Sequence, residues 1–468
     1  MSTNVVSASP NRSPVIAGSV HGPAGLPGGI TAADVAIKDI GKCLLPSPVA
    51  EHLGEGAMTF VGAADKVLVD DSLSRMSSYT GRLDALPAFE LAGPRNKILF
   101  DPRTVRAGIV TCGGLCPGLN NVIRGLVCEL GHGYGVKRIF GFRYGYEGLI
   151  ARFGHDPLPL SPDSVAHIHH QGGTILGSSR GSQDAAEVVD NLEATGINIL
   201  FVVGGDGTIR AAMQFTAEIE RRGVKIAVVG VPKTIDNDIH FIDRSFGFES
   251  AYSAAVDVIR AARVEAMGAR NGIGLVKLMG RHSGFVACQA ALASTDVDVV
   301  LIPEAPAQLE GERGVFAYLQ RVLDRKGNAV VVVAEGAAQD LIADDAQADR
   351  TDKSGNVKLK DIGVFLRDRI TQHFKQNGRE VTLKYIDPSY AIRSVPATPS
   401  DSVYCWNMAR NAVHAAMAGN TEMLIGRWHG RFVHVPMPLA TRSRKQVEAT
   451  SDLWMSVIEA TGQPKSFG

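Results

Sequence analysis

Residues 199–239, ILFVVGGDGTIRAAMQFTAEIERRGVKIAVVGVPKTIDNDI, constrain the fold more than any other stretch of this chain. An apolar run at 199–203 ends in Gly204-Gly205-Asp206-Gly207-Thr208, and an amphipathic segment follows. A second apolar run, 226–231, ends in Pro232-Lys233-Thr234-Ile235-Asp236-Asn237-Asp238. Two near-continuous Val/Ile runs on either side of a helix read as a parallel βαβ unit whose strands are buried on both faces. Ligands of open α/β sheets sit at the carboxyl ends of the strands, so both polar tips face one crevice. One tip is a glycine turn that lets backbone N–H groups approach phosphate oxygens. The other carries Asp236 and Asp238, two carboxylates two residues apart. A phosphate cradle facing carboxylates points to phosphoryl transfer.

The same alternation runs through most of the chain. Residues 105–111 (VRAGIVT) read as a buried strand, 112–121 (CGGLCPGLNN) as a glycine-rich turn, and a helix starts at 122. That turn has neither Walker A nor dinucleotide spacing, and a tight structural turn accounts for it equally well. A strand at 137–142 follows, and Ser178-Ser179-Arg180-Gly181 makes a loop of small residues with one arginine. Such an arginine clamps phosphate oxygens or is simply an exposed loop cation.

In the second half, a helix at 250–266 leads to a strand at 272–278 tipped by Met279-Gly280-Arg281-His282-Ser283-Gly284. A helix (285–294), a strand (298–302), a helix (310–326) and a strand (329–333) ending in Ala334-Glu335-Gly336 come next. Beyond these lie a helix at 362–376, a strand at 383–386 leading to Tyr390-Ala391-Ile392-Arg393, and a helix at 401–418. A hairpin at 422–434 and an amphipathic helical tail from 439 complete the chain.

The expected class is α/β: two doubly wound α/β domains with the active site in the cleft between them, plus an N-terminal extension. Residues 1–100 form the extension, its first thirty residues a Ser/Pro/Gly/Asn-rich disordered arm. Residues 101–248, completed by about 394–438, form the nucleotide-binding domain; 249–393, completed by 439–468, form the sugar-phosphate-binding domain. The charged stretch 340–358 reads as an exposed loop.

Composition removes several classes. The 48 basic and 48 acidic residues cancel, so nothing points to a nucleic-acid or polyanion partner. No run reaches the roughly 18 apolar residues that span a bilayer, and the start lacks a basic segment followed by an apolar one, so no secretory signal is expected. Six scattered cysteines read as reduced thiols in a cytoplasmic protein. Cys112 and Cys116 lack a second pair, and His167, His169 and His170 lie in one short segment that reads as a helix end before Gly172, not as a zinc site.

In order and separation, these motifs resemble the 6-phosphofructokinases across about residues 105–435, and their wording is most similar to the long ATP-dependent enzymes of plants. The glycine turn at Gly113-Gly114, Gly177–Gly181, GGDGT at 204–208, PKTIDND at 232–238, Met279-Gly280-Arg281, Glu335 and Tyr390 with Arg393 carry the likeness. GGDGT also occurs in NAD kinases and lipid kinases, but that reading leaves Asp236, Arg281 and Arg393 without a role.

The resemblance implies transfer of phosphate from ATP to the 1-hydroxyl of fructose 6-phosphate with Mg²⁺. Asp236 matches the base, Arg281 the arginine touching both the sugar and the moving phosphoryl group, and Asp206 the metal-associated carboxylate. Thr234 and Asp238 flank the base, and Lys233 precedes them. Thr234, Ile235, Asp236, Met279, Gly280, Arg281, Glu335, Lys384, Tyr390 and Arg393 match the sugar-phosphate pocket. Gly114, Tyr146, Arg180, Gly181, Gly205, Asp206, Gly207 and Thr208 match the nucleotide side.

Two positions depart from the short bacterial enzymes. Gly272 stands nine residues before Arg281 and Lys384 nine before Arg393, both where those enzymes have arginine; Arg270 or Lys384 is expected to hold the 6-phosphate instead. Within such a family, Gly207 leaves room for an α-phosphate where an aspartate would repel it, which favours ATP over pyrophosphate. Lys233 is shared with pyrophosphate users. A pyrophosphate-dependent enzyme is therefore the alternative, with a catalytically silent regulatory subunit as the other. The latter would have lost Asp206 or Asp236, and both are present. The resemblance also implies a homodimer or homotetramer, because the family builds its sugar site across subunits.

Overall fold

The structure is a computed structural model describing residues 29–49, 60–78, 81, 85–342 and 358–468. The arm expected at 1–30 and the loop expected at 340–358 lie almost wholly outside the described residues.

Seven strands make the larger sheet, in the order Arg431–Pro436, Met423–Trp428, Ala227–Pro232, Ile199–Gly204, Arg106–Thr111, Arg138–Phe142, Leu158–Leu160. The five inner strands run parallel, and an antiparallel strand closes each edge. Every residue of Ile199–Gly204 and Ala227–Pro232 is buried, which is why these runs show no polar alternation. Gly204 aligns with Pro232, and Val203 with Thr111. The turns after these three strands therefore leave the sheet at one edge.

Leu119–Cys128 and Pro399–Met417 cover one face of this sheet, and Ala185–Thr195 with Asp206–Arg222 the other. Local chemistry sets several helix ends. Asp206–Arg222 closes on two arginines and Gly223 at φ 67, which favours the last carbonyls and supplies the left-handed residue that ends a helix. Pro399–Met417 opens on Thr398, whose side chain accepts the Asp401 N–H, with proline in the first turn.

The second sheet has four parallel strands in the order Val299–Leu301, Asn328–Ala334, Gly272–Leu278, Thr382–Ile386. Phe248–Met267, Phe285–Ser294 and Asp452–Thr461 pack on one face, and Val315–Lys326 with Ile362–Gln376 on the other. Both sheets are thus wound on both faces, as expected. Buried Asp401 ties them together: its Oδ2 accepts from Ser250 N at 2.8 Å and Ser250 Oγ at 2.6 Å, anchoring the start of Phe248–Met267 to Pro399–Met417.

Two elements differ from expectation. The helix expected from 310 begins at Val315, because Gly311 takes φ 88 and Gly314 is the extended residue before the first turn. The tail expected as one helix from 439 is a single turn, Met437–Ala440, then a non-helical segment, then Asp452–Thr461 capped by Ser451. In between, Arg444, Lys445, Gln446 and Val447 give their hydrogen bonds to loops of the main body. Those bonds hold the segment out of a helix. Among the described residues no helix is long and apolar enough to cross a membrane.

Candidate active site

The turn after Ile199–Gly204 packs under the turn after Ala227–Pro232. Lys233 N donates to Gly204 O at 2.9 Å, and a Cβ on Gly205 would stand 3.1 Å from Lys233 O, so a small residue keeps the two turns in contact. Gly205 precedes Asp206–Arg222 with no side-chain cap, which leaves first-turn N–H groups turned outward, as an anion requires. Tyr146 supports this turn from below: it is buried, and its hydroxyl donates to Thr208 O at 2.7 Å. Gly207 is exposed, and a side chain there would meet nothing within 4 Å.

The glycine turn after Arg106–Thr111 closes the same edge. Gly113 N donates to Ser179 O at 3.0 Å, and Ser178 Oγ donates to Gly113 O at 2.5 Å. The loop carrying Arg180 and Gly181 is held there by these bonds. Buried Lys233 donates through Nζ to Gly114 O at 2.7 Å, and burial lowers its pKa. A Cβ on Gly114 would lie 3.8 Å from both Arg180 and Arg393. Gly114 thus separates an arginine assigned to the nucleotide from one assigned to the sugar.

The residues 234–238 make a tight knot. Thr234 Oγ1 donates to Asp238 Oδ1 at 2.6 Å, Ser245 Oγ donates to Thr234 O at 2.5 Å, and Asn237 adopts φ 55. Asparagine tolerates that left-handed conformation better than most residues. Ile235 is buried in the core, so only its backbone faces the cleft. Asp236 points out of the knot toward the second sheet. Its Oδ2 accepts from Arg281 N at 3.4 Å, and Ser283 Oγ donates to its backbone carbonyl at 3.0 Å.

Asp236 Oδ1 is shut off from solvent without a hydrogen-bond partner. Burial first, then the charges of Asp238 and Glu335, push the Asp236 pKa up to about 7 against the pull of Arg281. A carboxylate poised near neutrality is suited to take a proton.

The loop holding Arg281 rests on the turn after Asn328–Ala334. Glu335 N donates to Leu278 O and Gly336 N to Gly280 O. Gly280 sits at φ 131, and a Cβ on Gly336 would come within 2.0 Å of Arg281 O. Both glycines permit a backbone approach that no side chain allows. Glu335 is raised by burial, with Arg281 and Lys277 opposing. Arg393 lies over the ring of exposed Tyr390 at 4.5 Å, and Met279 packs against the core beneath.

Residues 106–416 match the family described as phosphofructokinase. The chain belongs to the phosphofructokinase family. It is 54% identical over 441 residues to a protein of Amycolatopsis methanolica named ATP-dependent 6-phosphofructokinase, covering 93% of this chain and 96% of that one. It is 50% identical over 380 residues to ATP-dependent 6-phosphofructokinase 7 of Arabidopsis thaliana, covering 81% and 78% of the two chains. Its fold is similar to the crystal structure of a pyrophosphate-dependent phosphofructokinase from Marinobacter aquaeolei, with TM-score 0.63 at 19% identity over 78% of this chain and 93% of that one.

Most phosphofructokinase motif residues meet at this edge, but three positions do not. Gly272 opens its strand at the far end of the sheet, where a Cβ would fall 2.0 Å from Ala266 O, so no longer residue fits. Arg270 and Lys384 are both exposed, and Lys384 aligns with Gly274. Arg270 precedes Gly272–Leu278 and Lys384 aligns four residues before its end, so neither backbone stands at the carboxyl ends of the strands. Among the described residues no cysteine is in a disulfide, and no cluster of three or more His, Cys, Asp or Glu is arranged to hold a metal, the histidines at 167–170 included.

One residue at the site carries no signal in the sequence. Arg444 pairs with Asp238 Oδ2 at 3.3 Å and with Asp206 Oδ2 at 3.5 Å. It is one of three basic residues, with Arg442 and Lys445, in a polar stretch more than 200 residues away, and only the fold singles it out.

Proposed function

We propose that this phosphofructokinase uses ATP to phosphorylate the 1-hydroxyl of fructose 6-phosphate, giving fructose 1,6-bisphosphate and ADP. The observation that carries the reading is the junction of two loops, one from each sheet. It sets a carboxylate with a pKa near 7 against the backbone of Arg281, beside a glycine turn at a helix start. The ATP-dependent names of relatives at about half identity support the donor.

In this mechanism Asp236 accepts the proton of the attacking hydroxyl. Arg281 lies where charge spreads over the equatorial oxygens of the moving phosphoryl, and its planar fork suits that charge. Thr234 holds Asp238 beside the base, and Lys233 with Gly114 and Arg180 frames the nucleotide side. The donor set fits Mg²⁺: Asp206 and Asp238 turn their Oδ2 atoms toward one positive group, and magnesium usually takes one or two carboxylates with phosphate and water oxygens. When bound, it spreads the charge of the phosphates.

The test is fructose 1,6-bisphosphate formation with Mg²⁺, run in parallel with ATP and with pyrophosphate. Turnover with ATP and not pyrophosphate is expected. Turnover with pyrophosphate alone overturns the donor, and turnover with neither moves the regulatory-subunit reading forward.

We propose the division into domains at 101–248 with 394–438, and 249–393 with 439–468; two sheets with separate flanking helices support it. Leu439 and Ala440 nevertheless pack with the first sheet, and Val447, Trp454 and Val457 of the tail with the second. We also infer a homodimer or homotetramer in the cytoplasm. Exposed Arg270 and Lys384, neither with its backbone at the strand ends that carry the site, support a sugar site completed by a neighbour. Light scattering at assay concentration is expected to give a dimer or tetramer, and a fully active monomer overturns this. The six cysteines, none in a disulfide, support a reducing compartment.

A further inference from the structure

Residues 441–447 form a strap between the two catalytic loops. Arg210 holds its start through Thr441 O. Lys445 N donates to Asp238 O at 2.9 Å, and Ile239 bridges Arg444 in antiparallel fashion. Lys445 Nζ donates to Ile242 O at 2.7 Å and Asp243 O at 3.2 Å, all on the Asp236 side. The next two residues change sides. Gln446 Nε2 donates to His282 O at 3.1 Å, and Val447 N donates to Glu304 Oε1 at 2.8 Å. Glu304 Oε1 also accepts from Gly284 N at 2.9 Å, at the end of the Arg281 loop.

At the middle of the strap, Arg444 stands between Asp238 and Asp206. Asp238 is buried, with its other oxygen bound to Thr234, and Arg444 is the cation paired with its Oδ2. Arg444 itself is 35% exposed and has a path outward to solvent. Arg210 Nε reaches the same Asp206 oxygen at 3.2 Å. A divalent cation approaching Asp206 meets positive charge already in place, and a guanidinium and a dication do not share one carboxylate oxygen.

We propose that Arg444 is a placeholder for the divalent cation: it holds Asp206 and Asp238 in the donor-free enzyme and leaves when the cation enters. Its departure removes the ion pairs at the middle of the strap and leaves only the backbone and Lys445 bonds there, so cation entry loosens the link between the Asp236 and Arg281 loops. Arg444 is a positioning residue, and its role rests on the phosphotransferase reading of Asp206.

The test uses Mn²⁺ in place of Mg²⁺, titrated into the full-length, nucleotide-free enzyme and followed by electron paramagnetic resonance of free Mn²⁺. Arg444→Gln is expected to bind Mn²⁺ about 10-fold or more tightly than the parent. Arg442→Gln, which removes a charge from the same strap where Arg442 pairs with Asp34, is expected to leave binding unchanged. Equal or weaker binding by a folded Arg444→Gln protein overturns the proposal.

Hydrogen exchange of peptides covering 441–447 gives a second readout that needs no turnover. Saturating Mn²⁺ is expected to speed exchange there in the parent, and Arg444→Gln to exchange fast without the metal. Strap exchange that does not respond to Mn²⁺ in the parent overturns the coupling, even where the Arg444→Gln protein is too unstable to titrate. Failure of the phosphotransferase reading would show separately, as absence of turnover in the parent.

Discussion

Asp236→Asn is expected to lower kcat by about 10²–10⁴-fold, the usual contribution of a positioned general base, while leaving nucleotide binding near normal. Asn keeps the shape of the side chain, so the bond from Arg281 N and the knot around Thr234 have no steric reason to change. What is lost is the ability to accept a proton. In the parent, kcat/KM is expected to fall about tenfold per pH unit below about 7, where Asp236 becomes protonated. A variant within tenfold of parental turnover would show that another group is the base.

The same substitution is expected to raise Tm, more at pH 8 than at pH 5. Asp236 ionises near pH 4 in the unfolded chain and near 7 in the folded one. Between those values the folded state keeps a proton that the unfolded state has released. Stability therefore falls as pH rises through this window, and the loss is complete above about pH 7. Asn never ionises and escapes that loss. Equal Tm differences at both pH values would mean that the carboxylate is not strained by its surroundings. A residue that destabilises its own fold while it is ionised has the signature of a functional group.

Gly207→Asp separates donor choice from folding. Its backbone is not left-handed and a side chain there meets nothing within 4 Å. It lies in the first turn of Asp206–Arg222, where a carboxylate favours the helix by about 0.3–1 kcal/mol. Replacing a helical glycine by aspartate, itself a weak helix former, adds only about 0.3 kcal/mol more. Tm is therefore expected to hold or rise slightly. Use of ATP is expected to collapse, because a like charge about 4 Å from a phosphate costs up to about 4 kcal/mol at an effective dielectric of about 20, or about 10³-fold in kcat/KM. A variant that uses ATP as well as the parent would remove Gly207 from the argument for the donor.

The catalytic half of this chain was legible because its chemistry is local. GGDGT and PKTIDND each follow a buried strand directly, so the backbone that makes the strand also aims the turn. Parallel pairing then aligns Gly204 with Pro232 and sets the tips side by side. Met279-Gly280-Arg281 and Glu335 were readable for the same reason, each standing at the end of a strand of the second sheet. The tail was not. Apolar residues at helical spacing predicted a helix from 439, but spacing reports only what a segment would do alone. Here the bonds from Lys445, Gln446 and Val447 to other loops outweigh helix formation.

By itself, then, the sequence determined the two wound sheets, the glycine turn and the positions of Asp206, Asp236 and Arg281, since periodicity and strand-end motifs are set by neighbours along the chain. Only the tertiary structure decided three things. It raised the pKa of Asp236, which needs burial and, beside the neighbouring Asp238, the carboxylate of Glu335 from the second sheet. It set the backbone of Lys384 four residues short of the strand end that carries the site, which depends on sheet register. And it placed Arg444 between Asp206 and Asp238, because ion pairs form by distance in space, and no pattern along the chain records them.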